Sequence, residues 1–111
     1  MTNPAVATVQ RQYDAYHARD AEAYADDCVV SNLNGLVTLS GAAAIRERYA
    51  EIFASHPHNR SKLLNRIALG DVVIDHEHVE RAPGGSSFQG VAIYTVQGDR
   101  ISRVDFIKQA C

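Results

Sequence analysis

With 111 residues, 46% of them apolar and 22% charged, the chain is one domain's worth of ordinary globular composition, which excludes two separate cores and a disordered segment alike. A formal charge of −2, with 11 basic residues scattered along the chain, excludes the basic field that holds phosphate backbones, so nucleic acid is not an expected partner. Residues 1–5 carry neither a basic n-region nor an apolar h-region, and no apolar run approaches the ~18 residues of a bilayer span, so a cytoplasmic protein without a membrane partner is expected.

Asn3 before Pro4 reads as an N-cap followed by proline at the first helical position, where a missing N–H costs nothing. Val6, Val9, Tyr13 and Tyr16 then recur at three- and four-residue steps, predicting an amphipathic helix that ends near Arg19. Asp20 is placed to cap a second, very short helix through Ala25, favoured by Ala21, Ala23 and Ala25. Cys28 to Leu33 and Leu36 to Leu39 are β-prone runs around Asn34-Gly35, a strong hairpin signal because both turn residues adopt positive φ. Ser40 precedes a third helix over Ala42 to Ala54, with Ile45, Tyr49, Ile52 and Phe53 on one face, ended by His56-Pro57-His58.

From there the chain reads as strands: Lys62 to Leu69, Val72 to Arg81, Ser87 to Val96 and Arg100 to Lys108. Gly70-Asp71, Ala82-Pro83-Gly84-Gly85-Ser86 and Gly98-Asp99 separate them, and such short turns predict antiparallel neighbours. Helices early and strands late predict a single α+β domain over residues 1–111, without repeat or linker. The two cysteines, Cys28 and Cys111, are too few for a disulfide framework and read as reduced thiols, the first packed as a small hydrophobe.

Certain words in this order resemble the nuclear transport factor 2-like superfamily, in particular its SnoaL-like branch. They are Tyr16-His17-Ala18-Arg19-Asp20, Ala25-Asp26-Asp27-Cys28, Ser40-Gly41 ahead of Ile45-Arg46, Gly70-Asp71-Val72-Val73-Ile74-Asp75, Val91-Ala92-Ile93-Tyr94 and Gly98-Asp99-Arg100-Ile101. The resemblance implies a cone-shaped, cystatin-like curved antiparallel sheet that encloses, with three helices, a mostly apolar pocket for an apolar small molecule. It also implies a homodimer made through the outer sheet face. Members include steroid isomerases, polyketide cyclases, epoxide hydrolases and domains that only bind or bridge, so the fold alone does not fix the chemistry.

Residue by residue, the known catalytic sets are not matched. The carboxylate base of ketosteroid isomerases falls at Asn32, their tyrosine near Gln12 and their protonated acid near Ala92. The arginine and acid of limonene-type epoxide hydrolases fall at Glu77 and Val79. Cyclases of the SnoaL type use a histidine or aspartate in the pocket, which leaves Asp105 and His76 as candidate acid/base groups.

Asp105 stands in the largely apolar stretch Ile101 to Ile107, and an inward orientation would raise its pKa by desolvation; the alternative is an ion pair with Arg103 or Arg66 on the other face. In Asp75-His76-Glu77-His78, strand alternation puts the two histidines on one face and the two acids on the other. Two histidines do not complete a zinc site, and neither metal nor cofactor is expected. Tyr13, Tyr16, Asn32, Tyr49 and Tyr94 are the candidate ligand-positioning groups. The function expected is a pocket protein, a cofactor-free isomerase, cyclase or hydrolase for an apolar carbonyl-bearing or polycyclic substrate, with a non-catalytic dimeric binding or assembly domain as the alternative.

Overall fold

The computed structural model describes residues 3–33, 36–82, 85 and 87–110, the last three for their backbone alone. Asn3 caps helix α1 (Pro4–His17): its side chain accepts from the Ala5 N–H at 2.8 Å, and Pro4 occupies the first helical position. The buried stripe of α1 is Ala5, Thr8, Val9, Gln12 and Ala15, with Val6, Tyr13 and Tyr16 half-buried along its edge. At the far end Arg19 takes a left-handed backbone (φ 63), and the Asp20 N–H donates back to the Ala15 carbonyl at 2.9 Å, which closes the helix.

The predicted short helix over residues 20–25 does not form, so the described residues hold two helices where three were expected. Among the described residues Asp20 accepts only from the adjacent Ala21 N–H, Ala23 has φ 73, and strand β1 (Tyr24–Asn32) has already begun. Five residues make too few hydrogen bonds to offset helix nucleation, and burying Ala21, Ala23 and Tyr24 in the core outweighs alanine's propensity.

β1 pairs antiparallel with β2 (Val37–Ser40), the predicted hairpin; its turn residues Asn34 and Gly35 lie outside the described residues. Helix α2 (Ala42–Ser55) follows, capped by Gly41 at φ 94 and not by Ser40. Only glycine takes that conformation without strain, and the Gly41 N–H donates to the Cys28 carbonyl at 2.7 Å, fixing α2 against β1. Then come β3 (Arg60–Leu69), β4 (Val72–Glu80), β5 (Ser87–Gln97) and β6 (Arg100–Ala110). The predicted turn residues Pro83, Gly84 and Ser86, and the terminal Cys111, are outside the described residues.

The six strands form one sheet in the order β2-β1-β6-β5-β4-β3. Every pair is antiparallel except β1–β6, which is parallel, so the sheet is mixed and not wholly antiparallel as expected. Short turns dictate antiparallel neighbours only between consecutive strands, and β1 meets β6 from opposite ends of the sequence. Registers shift in β1 between Tyr24 and Val29, in β3 between Leu63 and Asn65, and between β5 and β6 near Ser102. Such bulges bend strands and increase twist, and they curve the sheet without closing it. α1 lies over β3 to β6 and α2 over β1 and β2, all on the concave face. Val9, Cys28, Ile45, Val73, Ile101 and Val104 are fully buried between helices and sheet, and among the described residues no helix is long and apolar enough to cross a membrane.

Candidate functional site

Toward the end of the sheet where β4 finishes and β5 begins, the concave face and the helices diverge and leave a cavity of about 260 Å³. Gln12, Tyr13 and Tyr16 face it from α1, Ile45 and Tyr49 from α2, and residues of β4, β5, β6 and β1 form its floor. Asn32, Thr38 and Arg48, also in its lining, are exposed to solvent, so it is an open-mouthed pocket and not the enclosed chamber expected.

The β4–β5 register sets which side chains reach inside. Val73 lies opposite Tyr94, Asp75 opposite Ala92, Glu77 opposite Gly90 and Val79 opposite Phe88, and these pairs share the concave face. Asp75 is fully buried and held by a two-pronged ion pair, Arg66 donating through Nε at 2.6 Å and Nη2 at 2.9 Å, while Arg66 Nη1 donates to Gln10 on α1 at 2.7 Å. This network ties α1 to the sheet and leaves Asp75 committed.

Glu77 is the opposite case. It lines the cavity and, among the described residues, makes no ion pair. Burial pushes its carboxyl up to about 7, and the neighbouring Asp75 charge adds to the rise. The Ser61 hydroxyl, His17 and Arg66 oppose it. Ser61 Oγ is close enough to act on Glu77, yet it is buried without an aligned hydrogen bond, so a donor and a carboxyl group stand side by side with capacity to spare. An acid/base group is most effective when its pKa lies near the working pH, and Glu77 meets that condition.

The tyrosines above Glu77 divide by how their hydroxyls are used. Tyr13 donates to the Ser61 carbonyl at 3.1 Å and accepts from the Leu63 N–H at 3.2 Å, so it fastens α1 to β3. Tyr94 donates to Gln12 Oε1 at 3.3 Å in the buried core. Tyr24 and Tyr49 share one long contact of 3.4 Å, and burial pushes the Tyr49 phenol up to about 12.

Tyr16 differs, because it accepts from Asn59 Nδ2 while Arg81 Nη1 donates to Asn59 Oδ1 at 2.8 Å. Among the described residues its own O–H has no acceptor. Burial, the largest influence, raises its pKa and keeps the phenol protonated. The chain Arg81–Asn59–Tyr16 therefore ends in a polarised donor at the cavity wall, the group needed where negative charge develops on an oxygen.

All five expected ligand-positioning residues, Tyr13, Tyr16, Asn32, Tyr49 and Tyr94, are in the cavity lining. Asp105 and His76 are not. Asp105 lies on the convex face, where Arg103 donates to it at 3.0 and 3.1 Å and Ser31 at 2.5 Å. The Arg103 guanidinium holds its carboxyl below the usual range, the reverse of the shift that an inward acid would show. His76 is on the same convex face, hydrogen-bonded to Gln89 at 2.8 Å beside Asn65, Ile67 and Ile74. Among the described residues no cluster of three His, Cys, Asp or Glu is arranged around a metal. Cys28 is buried beneath α2, its thiol pushed up to about 11 by burial, as befits a packed hydrophobe.

Sequence reasoning missed Asn59, Arg81 and, above all, Glu77. Alternation had placed it with Asp75 opposite His76, and only the choice of face was open.

With this geometry in view, the SnoaL-like domain family matches residues 9–104 of the chain. A cystatin-fold protein from Novosphingobium aromaticivorans, itself uncharacterised, is 33% identical over 96% of this chain and 98% of its own, with a TM-score of 0.83. An NTF2-like protein of unknown function from Mesorhizobium loti is 21% identical over 96% of this chain and 92% of its own, with a TM-score of 0.79. The LEH-like epoxide hydrolase of M. tuberculosis shares the fold at 18% identity over 97% of this chain and 84% of its own, with a TM-score of 0.73. No curated protein matches the chain.

Proposed function

The chain belongs to the SnoaL-like domain family of the nuclear transport factor 2-like superfamily, and from that premise we propose that it is a small-molecule pocket protein in which Glu77 moves a proton on a carbonyl-bearing substrate. The single observation that carries this reading is an inward carboxyl group, pushed up to about 7 by burial and without an ion-pair partner among the described residues, beside a phenol whose O–H is free to donate.

In the proposed reaction the Glu77 carboxylate takes a proton from the carbon next to the carbonyl. The C–H electron pair becomes the C=C bond of an enolate, and the carbonyl π electrons move to oxygen, where the Tyr16 O–H stabilises the charge. Where the substrate carries a C=C that extends the enolate to a dienolate, Glu77, now protonated, returns the proton to its far carbon, which isomerises the substrate; alternatively the enolate carbon attacks a second carbonyl, which closes a ring, and Glu77 gives its proton to the alkoxide so formed. No electron leaves the substrate, so the sequence needs no cofactor. Isomerase or cyclase chemistry is favoured over hydrolysis because the second inward carboxylate, Asp75, is locked to Arg66 and cannot orient a water.

The test uses 2-tetralone, a neutral two-ring ketone, and follows deuterium uptake next to its carbonyl by NMR in D2O. The protein should accelerate exchange, with the rate rising through a midpoint near pH 7 as Glu77 ionises, and Glu77→Gln should lower it at least ~100-fold. Exchange by Glu77→Gln equal to that of the parent rules out Glu77 as the base. Binding without any acceleration leaves the alternative of a non-catalytic binding domain.

A further inference from the structure

The inward face of β4 continues past Glu77 and Val79 to Arg81, which stands in the cavity lining immediately after the strand ends. Of the four arginines engaged in ion pairs, Arg66 is held by Asp75, Arg103 by Asp105, Arg100 by Asp99 and Arg48 by Glu51. Arg81, half-buried, has no carboxylate partner among the described residues. Its guanidinium is nevertheless fixed, with Nη1 donating to the fully buried Asn59 side chain at 2.8 Å and the carbon centre 4.9 Å from the Phe88 ring centroid. A planar cation held on two sides, with most of its donors unspent beside an apolar cavity, is preorganised for a planar anion.

The cavity volume sets how much of the ligand the pocket encloses. An apolar cavity of roughly 150 Å³ holds benzene, so about 260 Å³ suits a two-ring body and is tight for a four-ring one.

We infer that the pocket selects mono- or bicyclic acids, the ring body lying over Glu77 and a carboxylate paired with Arg81 at the mouth. The inference rests on the reading of this cavity as the ligand site and deepens it. It also gives the Arg81–Asn59–Tyr16 chain a second use, since an anion on Arg81 is sensed at the Tyr16 donor through Asn59.

The test is calorimetric titration at pH 6 with 2-naphthoate and with 2-naphthamide, which share shape and differ in charge. The parent protein should bind naphthoate at least ~10-fold more tightly, a charge-assisted pair set against a neutral contact. Arg81→Met should remove that preference, and Arg81→Lys should retain part of it, keeping charge but losing the fork. Thermal melts of both variants establish that they are folded, and raised salt should narrow the preference in the parent.

Equal affinity for acid and amide in the parent, or a preference that survives Arg81→Met, overturns the assignment. Equal affinities together with Glu77-dependent exchange of 2-tetralone overturn this inference alone, whereas a naphthoate preference without exchange overturns the proton-transfer reading alone. Absence of binding by both naphthalene probes together with absence of 2-tetralone exchange overturns both.

Discussion

Glu77 makes the folded state depend on pH in a direction opposite to that of most carboxylates. Its folded value of about 7 lies above the ordinary 4.5, so the native chain binds the proton more tightly than the unfolded one does. The stability it contributes is complete below about pH 4.5, declines as pH rises, and is gone above about pH 7. The displacement amounts to at most about 3 kcal/mol, at 1.36 kcal/mol per pKa unit. Urea denaturation of parent and Glu77→Gln should therefore diverge with pH: near-equal stabilities around pH 4, and a variant more stable by up to ~3 kcal/mol above pH 7. A difference that stays constant across that range contradicts a raised carboxyl at position 77. Asp105→Asn, on the far side of the sheet, should leave 2-tetralone exchange unchanged.

At the scale of the element, β4 decides the site, and alternation alone does not say which way it faces. Val73 and Val79 flank the acids on one side while Val72 and Ile74 flank the histidines on the other, so the two faces are almost equally apolar in sequence. The partner strand breaks the tie: Ala92 and Tyr94, opposite Asp75 and Val73, are buried under α1.

On β6 the sequence actively misleads. Ile101 and Val104 are both core residues although three positions apart, because Ser102 is an extra residue in the ladder and reverses the parity after it. Counting from Ile101 sends Asp105 inward, but the bulge turns it out beside Arg103.

Gly90, opposite Glu77, is the element's other contribution, since a side chain there would occupy the cavity. A Cβ would sit 3.4 Å from the Ile107 carbonyl oxygen and 3.8 Å from the Phe88 ring, ordinary contacts that the strand tolerates. Gly90→Val should thus melt within a few degrees of the parent, valine suiting a strand better than glycine, yet bind 2-tetralone at least ~10-fold more weakly. Unchanged binding by a folded Gly90→Val protein places the ligand elsewhere.

Across the whole molecule, the concave face is filled by helices and pocket while the convex face is left with apolar side chains in solvent. Ile67 and Leu69 are 60% and 83% exposed there, an arrangement that we read as the face of a homodimer. Light scattering at micromolar concentration should give twice the chain mass for the parent and a single chain mass for Ile67→Lys. A monomeric parent removes the dimer.

By itself the sequence determined what depends on neighbours along the chain: the Asn3 cap, the limits of both long helices to within two residues, the β1–β2 hairpin, the four late strands, and the tyrosines that reach the pocket from α1 and α2. These follow from local spacing and turn chemistry, which the tertiary contacts of this fold reinforce. Only the tertiary structure decided the missing helix at residues 20–25, the parallel β1–β6 pairing and the exchange of Glu77 for Asp105 and His76 as the pocket's ionisable group. Each depends on a partner far away in sequence, and a strand's two faces become distinguishable only when one of them is covered.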